Sequence, residues 1–370
     1  MPEKLICVAG ARPNFMKIAP LVRALRADGR FVPVVVHTGQ HYDDAMSGQF
    51  FRDLEIPEPD YSLRAESGSH ARQTADILRS IEPILLDEAP AGVIVVGDVN
   101  STVACALAAA KLQIRVTHVE AGLRSFDRHM PEEINRLATD AIADLLLVTE
   151  ESGRRNLLAE GVPEQRMRVV GNLMIDTLRH NLARSAQSDV RERVGATGPY
   201  GVVTLHRPSN VDGPEQLREI LAALGEVARE MPLYFPAHPR TRGVLRNAGV
   251  ELPAGIHLLE PLGYLDFLRL MSGSAIVLTD SGGIQEETTA LGIPCLTLRE
   301  NTERPVTIEL GTNTLAGARR DSILRAWAET KANPKKGRIP PLWDGQAALR
   351  SVEALREYYD GAGAQTPARA

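Results

Sequence analysis

The sequence predicts an α/β chain folded as two doubly wound parallel sheets, and three observations carry that prediction. Its 370 residues exceed what one hydrophobic core ordinarily supports, so two domains are expected. Short β-branched runs alternate with amphipathic stretches from one end to the other, the rhythm of βαβ units. The rhythm stops at the polar stretch 183–199 and restarts after it, which marks a boundary between two such sheets.

In the first half, 4–9 (KLICVA), 32–36 (VPVVV), 93–96 (VIVV), 114–119 (IRVTHV) and 145–148 (LLLV) read as buried strands, with helical stretches such as 17–28 and 101–112 between them. In the second half the strands are GVVTLH, PLYFPAH, GIHLLE, AIVLTD and PCLTL. Crossover helices on both faces of a parallel sheet explain why these runs are continuously apolar instead of alternating. The first domain is placed at residues 1–182 and the second at 183–344. A helical pattern at 345–360 is expected to pack back on the first domain, and the small, polar residues 361–370 are expected to be a flexible tail.

Composition narrows the partners. A net charge of -5 with 24% charged residues argues against nucleic acid or an acidic membrane as the main partner. No apolar run is long enough to span a bilayer, and MPEKLICVAG enters a strand without the apolar region of a signal peptide. Cys7, Cys105 and Cys295 are odd in number and each lies in an apolar run, so neither disulfides nor a zinc site are expected. The expected compartment is the cytoplasm.

Polar residues follow the strands repeatedly, and in open α/β sheets ligands bind beyond the carboxyl ends of strands. The loops give Arg12 and Lys17, Gln40 and His41, Asp98, then His118, Glu120 and Arg124, and Glu132 with Glu133 at a helix start. The second half gives His206 and Arg207, His238, Asp280 through Glu287, and Arg299, Glu303 and Arg304. Any one is readable as a solvated loop; so many on the edges of two sheets point to one shared cleft.

Within TDSGGIQEE, Ser281, Gly282 and Gly283 join a strand to a helix. Small residues there let backbone N–H groups approach a phosphate, and the helix dipole favours negative charge. The pattern is neither a Walker A loop nor G-x-G-x-x-G, and a tight turn is its plain structural explanation. Glu287 one turn on, suited to ribose hydroxyls, and Arg304, suited to phosphate, turn it into an expected nucleotide diphosphate site. Arg12 and Lys17 sit at a helix start, where acids are usually preferred, and that mismatch favours a phosphate role over ordinary surface charge. Asp98 and Glu132 are both readable as helix-capping residues, whereas Glu120 follows an apolar strand and precedes Ala-Gly, which makes it the leading acid/base residue. His206 is read as a hydrogen-bond donor to phosphate or leaving group. His118 and Glu120 form H-x-E, but without any C-x-x-C the zinc deaminase pattern fails.

The ordered series GARPNFMKIAPL, TGQHYD, GDVNST, HVEAGLRS, PEEINR, TLHRPSN, LTDSGGIQEE and RENTERP resembles the motifs of the non-hydrolysing UDP-N-acetylglucosamine 2-epimerases, over nearly the whole chain as far as Trp343-Asp344-Gly345. The resemblance implies the two Rossmann-like domains of the GT-B architecture with the active site in the interdomain cleft. It further implies a UDP-sugar substrate, a homodimer, a role in cell-surface polysaccharide biosynthesis, and no cofactor or metal. Carried over by motif, Asp98, Glu120, Glu132 and His206 fall at catalytic positions. Arg12, Lys17, Phe267, Ser281, Gly282, Gly283, Glu287 and Arg304 fall at nucleotide-sugar contacts. Pro261-Leu262-Gly263 stands where the family usually has a Gln before the Tyr. Gln40, His41, Arg207 and His238 resemble the second, activating UDP-sugar site of some bacterial members, although Asp43 and Pro208 depart from that pattern. The alternatives are the same chemistry on a UDP-2,3-diacetamido-glucuronate type sugar, a GT-B glycosyltransferase, a hydrolysing relative and a UDP-sugar sensor. Three carboxylates argue against glycosyl transfer, which needs no proton delivery to two faces of carbon 2.

Overall fold

The computed structural model describes residues 2–39, 54–55, 58–63, 65, 68–247, 249 and 251–362. The chain divides into two compact units, Met1–Thr177 with Pro341–Ala370, and Leu178–Pro340.

The first unit is built on a seven-stranded sheet of β1 (Glu3–Ala9), β2 (Phe31–His37), β3 (Tyr61–Ser62), β4 (Gly92–Val96), β5 (Arg115–Ala121), β6 (Leu145–Val148) and β7 (Met167–Val169). Its strand order is β3-β2-β1-β4-β5-β6-β7 and every pairing is parallel. The direction of winding therefore reverses between β1 and β4, the position at which such sheets open a crevice for ligands. Both faces of the strands are buried: Ile6, Val8, Val34, Val93, Val95, Val116, Leu146 and Val148 belong to the core on one face, and Leu5, Cys7, Val35, Ile94 and Leu147 are buried on the other. Two short strands, β3 and β7, escape a reading based on long apolar runs because they hold two and three residues. The helix His70–Glu88 lay outside that reading too; Ser69 caps it by accepting the Arg72 N–H at 3.4 Å.

The helix expected at 17–28 begins earlier, spanning Arg12–Asp28, because Pro13 suits a first turn where N–H groups are unpaired anyway. It ends at Gly29, whose φ of 75° is the left-handed C-cap that glycine adopts without a Cβ penalty. The helix Ala347–Ala362 packs against it within this unit. Arg30 pairs with Asp360 at 2.8 Å, Tyr359 meets the Phe31 ring edge-on at 5.6 Å, and Trp343 is buried just before the helix. Residues 363–370, which cover most of the expected tail, lie outside the described residues.

The second unit repeats the plan with β8 (Gly201–Thr204), β9 (Leu233–Pro236), β10 (Ile256–Leu259), β11 (Ile276–Thr279), β12 (Cys295–Thr297) and β13 (Asn313–Leu315). The order β10-β9-β8-β11-β12-β13 is again wholly parallel, with its reversal between β8 and β11. Val203, Phe235, Leu278, Leu296 and Trp327 anchor its separate core. The division at 177/178 falls inside the helix Leu173–Ser185, ahead of the polar stretch 183–199. That stretch is tied into the second unit: Ser188 donates to Asp266 at 2.5 Å, and the Tyr234 hydroxyl donates to the Gly195 carbonyl at 2.8 Å. No helix of the described residues is long and apolar enough to cross a membrane.

Candidate active site

In the first unit the sequence-predicted residues gather at the carboxyl ends of β1, β4 and β5. Gly10 follows β1 and must be a glycine for room, since a Cβ there would overlap the Ser101 hydroxyl. Asn14, in the first turn of the next helix, accepts the Gly10 and Ala11 N–H groups at 3.2 and 2.9 Å and donates to the Val96 carbonyl at 2.9 Å. This side chain ties the end of β1 to the end of β4 across the winding reversal.

Glu120 is the penultimate residue of β5, at a register shift between Val119 and Ala121. Its φ is 70°, in the left-handed region, where a non-glycine residue costs on the order of 1–3 kcal/mol. The residue is 4% exposed and its carboxylate is ion-paired with Lys17, itself 6% exposed. A Cβ on Gly97 would lie 3.7 Å from Lys17 Nζ and 3.9 Å from Glu120 Oε2, so the turn after β4 borders both groups. Lys17, expected at phosphate, is thus the partner of the leading acid/base residue. Arg12 opens the same helix, but its side chain lies outside the described residues.

The neighbourhood of Glu120 is braced by a buried network. His118 Nδ1 is 2.6 Å from Asp140, and its Nε2 is 2.8 Å from the Gly97 carbonyl. Asp140 also accepts the Gly122 N–H at 3.0 Å and meets Arg124 Nη1 at 2.7 Å. Burial alone would raise the Asp140 carboxyl, but His118 and Arg124 outweigh it and hold it below its ordinary value. Both His118 nitrogens are therefore committed to the fold. Among the described residues no group of three or more His, Cys, Asp or Glu side chains is arranged to hold a metal.

Asp98 follows β4 with its side chain 28% exposed, ion-paired with Arg136. The helix Pro131–Ile142 carries Arg136 together with Glu132 and Glu133 in its first turns. The two glutamates separate sharply. Glu132 is half-buried, whereas Glu133 is 2% exposed and accepts the Ser125 and Phe126 N–H groups at 3.0 Å each. Burial pushes the Glu133 carboxyl up, and the Ser125 N–H and Arg136 pull it below the ordinary value by more. Glu133 is committed to the loop; Glu132 is the member of the pair left at the edge.

In the second unit, His206 and Arg207 follow β8 and Asp280 follows β11, on the two strands that flank the reversal. His206 Nδ1 is 2.9 Å from the fully buried Asp280 carboxylate while the ring is 55% exposed. Asp280 accepts the backbone N–H of His206 at 3.1 Å, that of Arg207 at 3.0 Å and the Asn210 amide at 3.1 Å. Burial raises its carboxyl, and the His206 ring and these N–H groups hold it lower still than an ordinary aspartate. The outcome is an oriented imidazole with its second nitrogen facing outward, a role for Asp280 that the sequence placed only within a glycine turn.

Ser281 is the N-cap of the helix Gly282–Leu291 and makes no side-chain cap, which leaves the first N–H groups to other partners. A Cβ on Gly282 would come 2.5 Å from Arg304 Nη1, so the guanidinium lies directly on this helix start. Arg304 is 6% exposed; its Nε donates to Glu286 at 2.7 Å and its Nη1 to Glu303. Glu303 also takes Arg299 at 2.7 Å and Arg207 at 3.5 Å, and these three cations hold it well below its usual range despite complete burial. Glu287, one turn along, is fully buried, and burial raises its carboxyl from 4.5 to about 7 even though the Tyr264 hydroxyl donates to it at 2.8 Å. Phe267 is half-buried on the helix Tyr264–Ser272, one turn after Tyr264. His238 is exposed after β9, the neighbour of β8, while Gln40 and His41 lie outside the described residues.

The structure therefore brings Lys17, Asp98, Glu120 and Glu132 to one edge of the first unit, and His206, Ser281–Gly283, Glu287 and Arg304 to one edge of the second. Sequence reasoning passed over Arg136, Asp280 as the histidine's partner, and Tyr264. The only available signals were an Arg four residues after Glu132 and an Asp before the glycine turn.

A family model for UDP-N-acetylglucosamine 2-epimerase matches residues 23–356. The chain is similar to the UDP-N-acetylglucosamine 2-epimerase of Methanocaldococcus jannaschii, 41% identical with 95% of this chain and 98% of that protein covered. It is also 40% identical to the UDP-2,3-diacetamido-2,3-dideoxy-D-glucuronate 2-epimerase of Pseudomonas aeruginosa, over 95% of this chain and 99% of the other. The crystal structure of the M. jannaschii enzyme in complex with UDP-GlcNAc and UDP superposes with a TM-score of 0.89, covering 96% of this chain and 99% of that one. These neighbours bear out the expected α/β class of two Rossmann-like units of GT-B type. Matched by the family model over residues 23–356 and 41% identical to the M. jannaschii enzyme over 95% of its length, the chain belongs to the UDP-N-acetylglucosamine 2-epimerase family.

Proposed function

We propose that this chain inverts carbon 2 of a UDP-N-acetylhexosamine, interconverting UDP-N-acetylglucosamine and UDP-N-acetylmannosamine. The observation that carries the reading is Glu120, a buried acid held at φ 70° against Lys17 at the carboxyl end of β5. Strain of that kind persists where surrounding structure over-determines it, and it clusters at reacting groups.

The chemistry follows from the substrate. Carbon 2 bears an acetamido nitrogen, not a carbonyl, so its hydrogen is very weakly acidic. Departure of UDP from carbon 1 gives that carbon oxocarbenium character and acidifies the neighbouring C–H. Loss of the proton leaves 2-acetamidoglucal; protonation from the opposite face and return of UDP give the epimer. Charge developing on the leaving diphosphate calls for fixed donors. In this reading the N–H groups at Gly282 and Gly283, Arg304, Arg12 and the Asp280-held His206 supply them, each loss costing about 3–4 kcal/mol of barrier. Glu287 and Phe267 hold the nucleoside. Asp98, Glu120 and Glu132 handle the proton on the two faces of carbon 2, help usually worth about 10²–10⁴-fold. The reading takes the enzyme as a cytoplasmic homodimer that supplies UDP-N-acetylmannosamine for cell-surface polysaccharide.

A second reading, the same inversion on a UDP-2,3-diacetamido-glucuronate type sugar, is favoured by the 40% identical P. aeruginosa relative. Incubating the pure protein with each nucleotide sugar and following the anomeric protons by NMR separates them. A new UDP-linked manno signal from UDP-N-acetylglucosamine is expected. Turnover of the diacetamido acid alone would transfer the proposal to the second reading, and release of free UDP would point to a hydrolysing enzyme.

A further inference from the structure

Three networks lie behind the candidate acids and bases: the Asp280 dyad, the His118–Asp140–Arg124 bracing and the Glu133–Arg136–Asp98 chain. The last reaches a partly exposed carboxylate, Asp98, through a buried cation that is also paired with Glu133. We infer that Arg136 is the positioning residue of Asp98, fixing that carboxylate relative to Glu132 from the same helix turn. The inference rests on the reading of Asp98 as a reacting group.

Arg136 is 2% exposed, and one side of its guanidinium is locked by Glu133, with Nε at 3.0 Å and Nη2 at 2.8 Å. Glu133 cannot turn either, because it accepts the Ser125 N–H, the Ser125 hydroxyl and the Phe126 N–H, all at 3.0 Å. With that side clamped, the planar fork leaves Nη1 a single direction, and Nη1 donates to Asp98 Oδ2. The same helix turn holds the Asp98 backbone, since Asn135 donates to the Asp98 carbonyl at 2.8 Å. Glu132, Glu133, Asn135 and Arg136 thus place one candidate carboxylate directly and clamp a second at both main chain and side chain. Proton traffic to two faces of one carbon needs the separation of its carboxylates fixed, and a misplacement of about 1 Å can cost on the order of 10²-fold. Phe126, 78% exposed with φ 58°, shows the force of the clamp, since its N–H is held by Glu133 in a conformation that a bulky residue avoids.

The test compares Arg136→Met, Arg136→Lys, Asp98→Asn and the double variants in the full-length enzyme, by kcat, KM and UDP Kd. Arg136→Met is expected to lower kcat about 10²-fold with KM and UDP Kd within about threefold of wild type, a split that a general loss of structure does not produce. Arg136→Lys keeps the charge but not the fork and is expected to recover less than about a tenth of the lost activity. Adding Arg136→Met to Asp98→Asn should cost less than about threefold more, because the two act as one unit. Losses that multiply, or Arg136→Met within about threefold of wild-type kcat, would overturn the inference. Should Arg136→Met fail to fold, Arg136→Lys bears the same two comparisons. Wild-type turnover by Asp98→Asn alone would instead sink the role of Asp98, and the inference with it.

Discussion

A single residue shows best how this fold stores what its chemistry uses. Glu120 could be singled out from sequence because an acid follows an apolar strand without any helix to cap. Its positive φ, its burial and its pairing with Lys17, 103 positions away in the chain, could not be read there. Glu120→Gln keeps the shape and removes the charge, so turnover should fall by at least about 10²-fold while UDP affinity stays within about threefold. Isothermal titration beside the activity assay decides this, and equal losses of both would make Glu120 a binding or folding residue. Of the neighbouring pair, the family motif singles out Glu132 and says nothing of why Glu133 differs. Tertiary hydrogen bonds from Ser125 and Phe126 supply the physical difference, committing Glu133 to the loop and leaving Glu132 at the edge. Glu287 gives a pH signature. Folded, it takes up a proton near pH 7, whereas an unfolded glutamate does so near 4.5. The folded state therefore binds more protons between those values, and this contribution to stability, at most about 3 kcal/mol, is lost as pH rises through 7. Glu287→Gln, which can still accept from Tyr264, should flatten the change in urea midpoint between about pH 5.5 and about pH 8. An unchanged slope would remove Glu287 as its source.

Among the elements, the long apolar strands and the glycine turn were legible because burial on both faces and a tight strand-to-helix connection leave direct marks on composition. Short edge strands β3, β7 and β13 were not, since two or three residues without a longer apolar run around them carry no period. The start of the helix Gly282–Leu291 joins a legible motif to an illegible partner. Sequence offers Gly282 as small, and the structure adds that Arg304 fills the space a Cβ would take. Gly282→Ala should displace that guanidinium and weaken UDP binding by about tenfold, with little change in thermal midpoint. Unaltered UDP affinity would show that the close approach serves packing alone. Arg136 belongs to this scale as well: its partners sit three residues away on its own helix and 38 residues away after β4, and only the first spacing can be seen in the sequence.

For the molecule as a whole, the repeated βαβ rhythm revealed two doubly wound units, and the strand orders place a winding reversal in each next to the predicted polar residues. The limits of the units were harder to read. Composition marks the polar stretch at 183–199, but that stretch is bonded into the second unit and the division falls inside the preceding helix. Hydrogen bonds that hold a polar segment in place leave no apolar pattern behind. The division of labour proposed for the molecule assigns carbon 2 to the acids of the first unit and the departing diphosphate to the donors of the second, joined by Arg12 from the first. The direct measurement is the fate of the hydrogen on carbon 2. Run in deuterium oxide and followed by NMR, the reaction should yield UDP-N-acetylmannosamine carrying solvent deuterium at that carbon. An epimer that keeps its original hydrogen would contradict proton removal by these side chains.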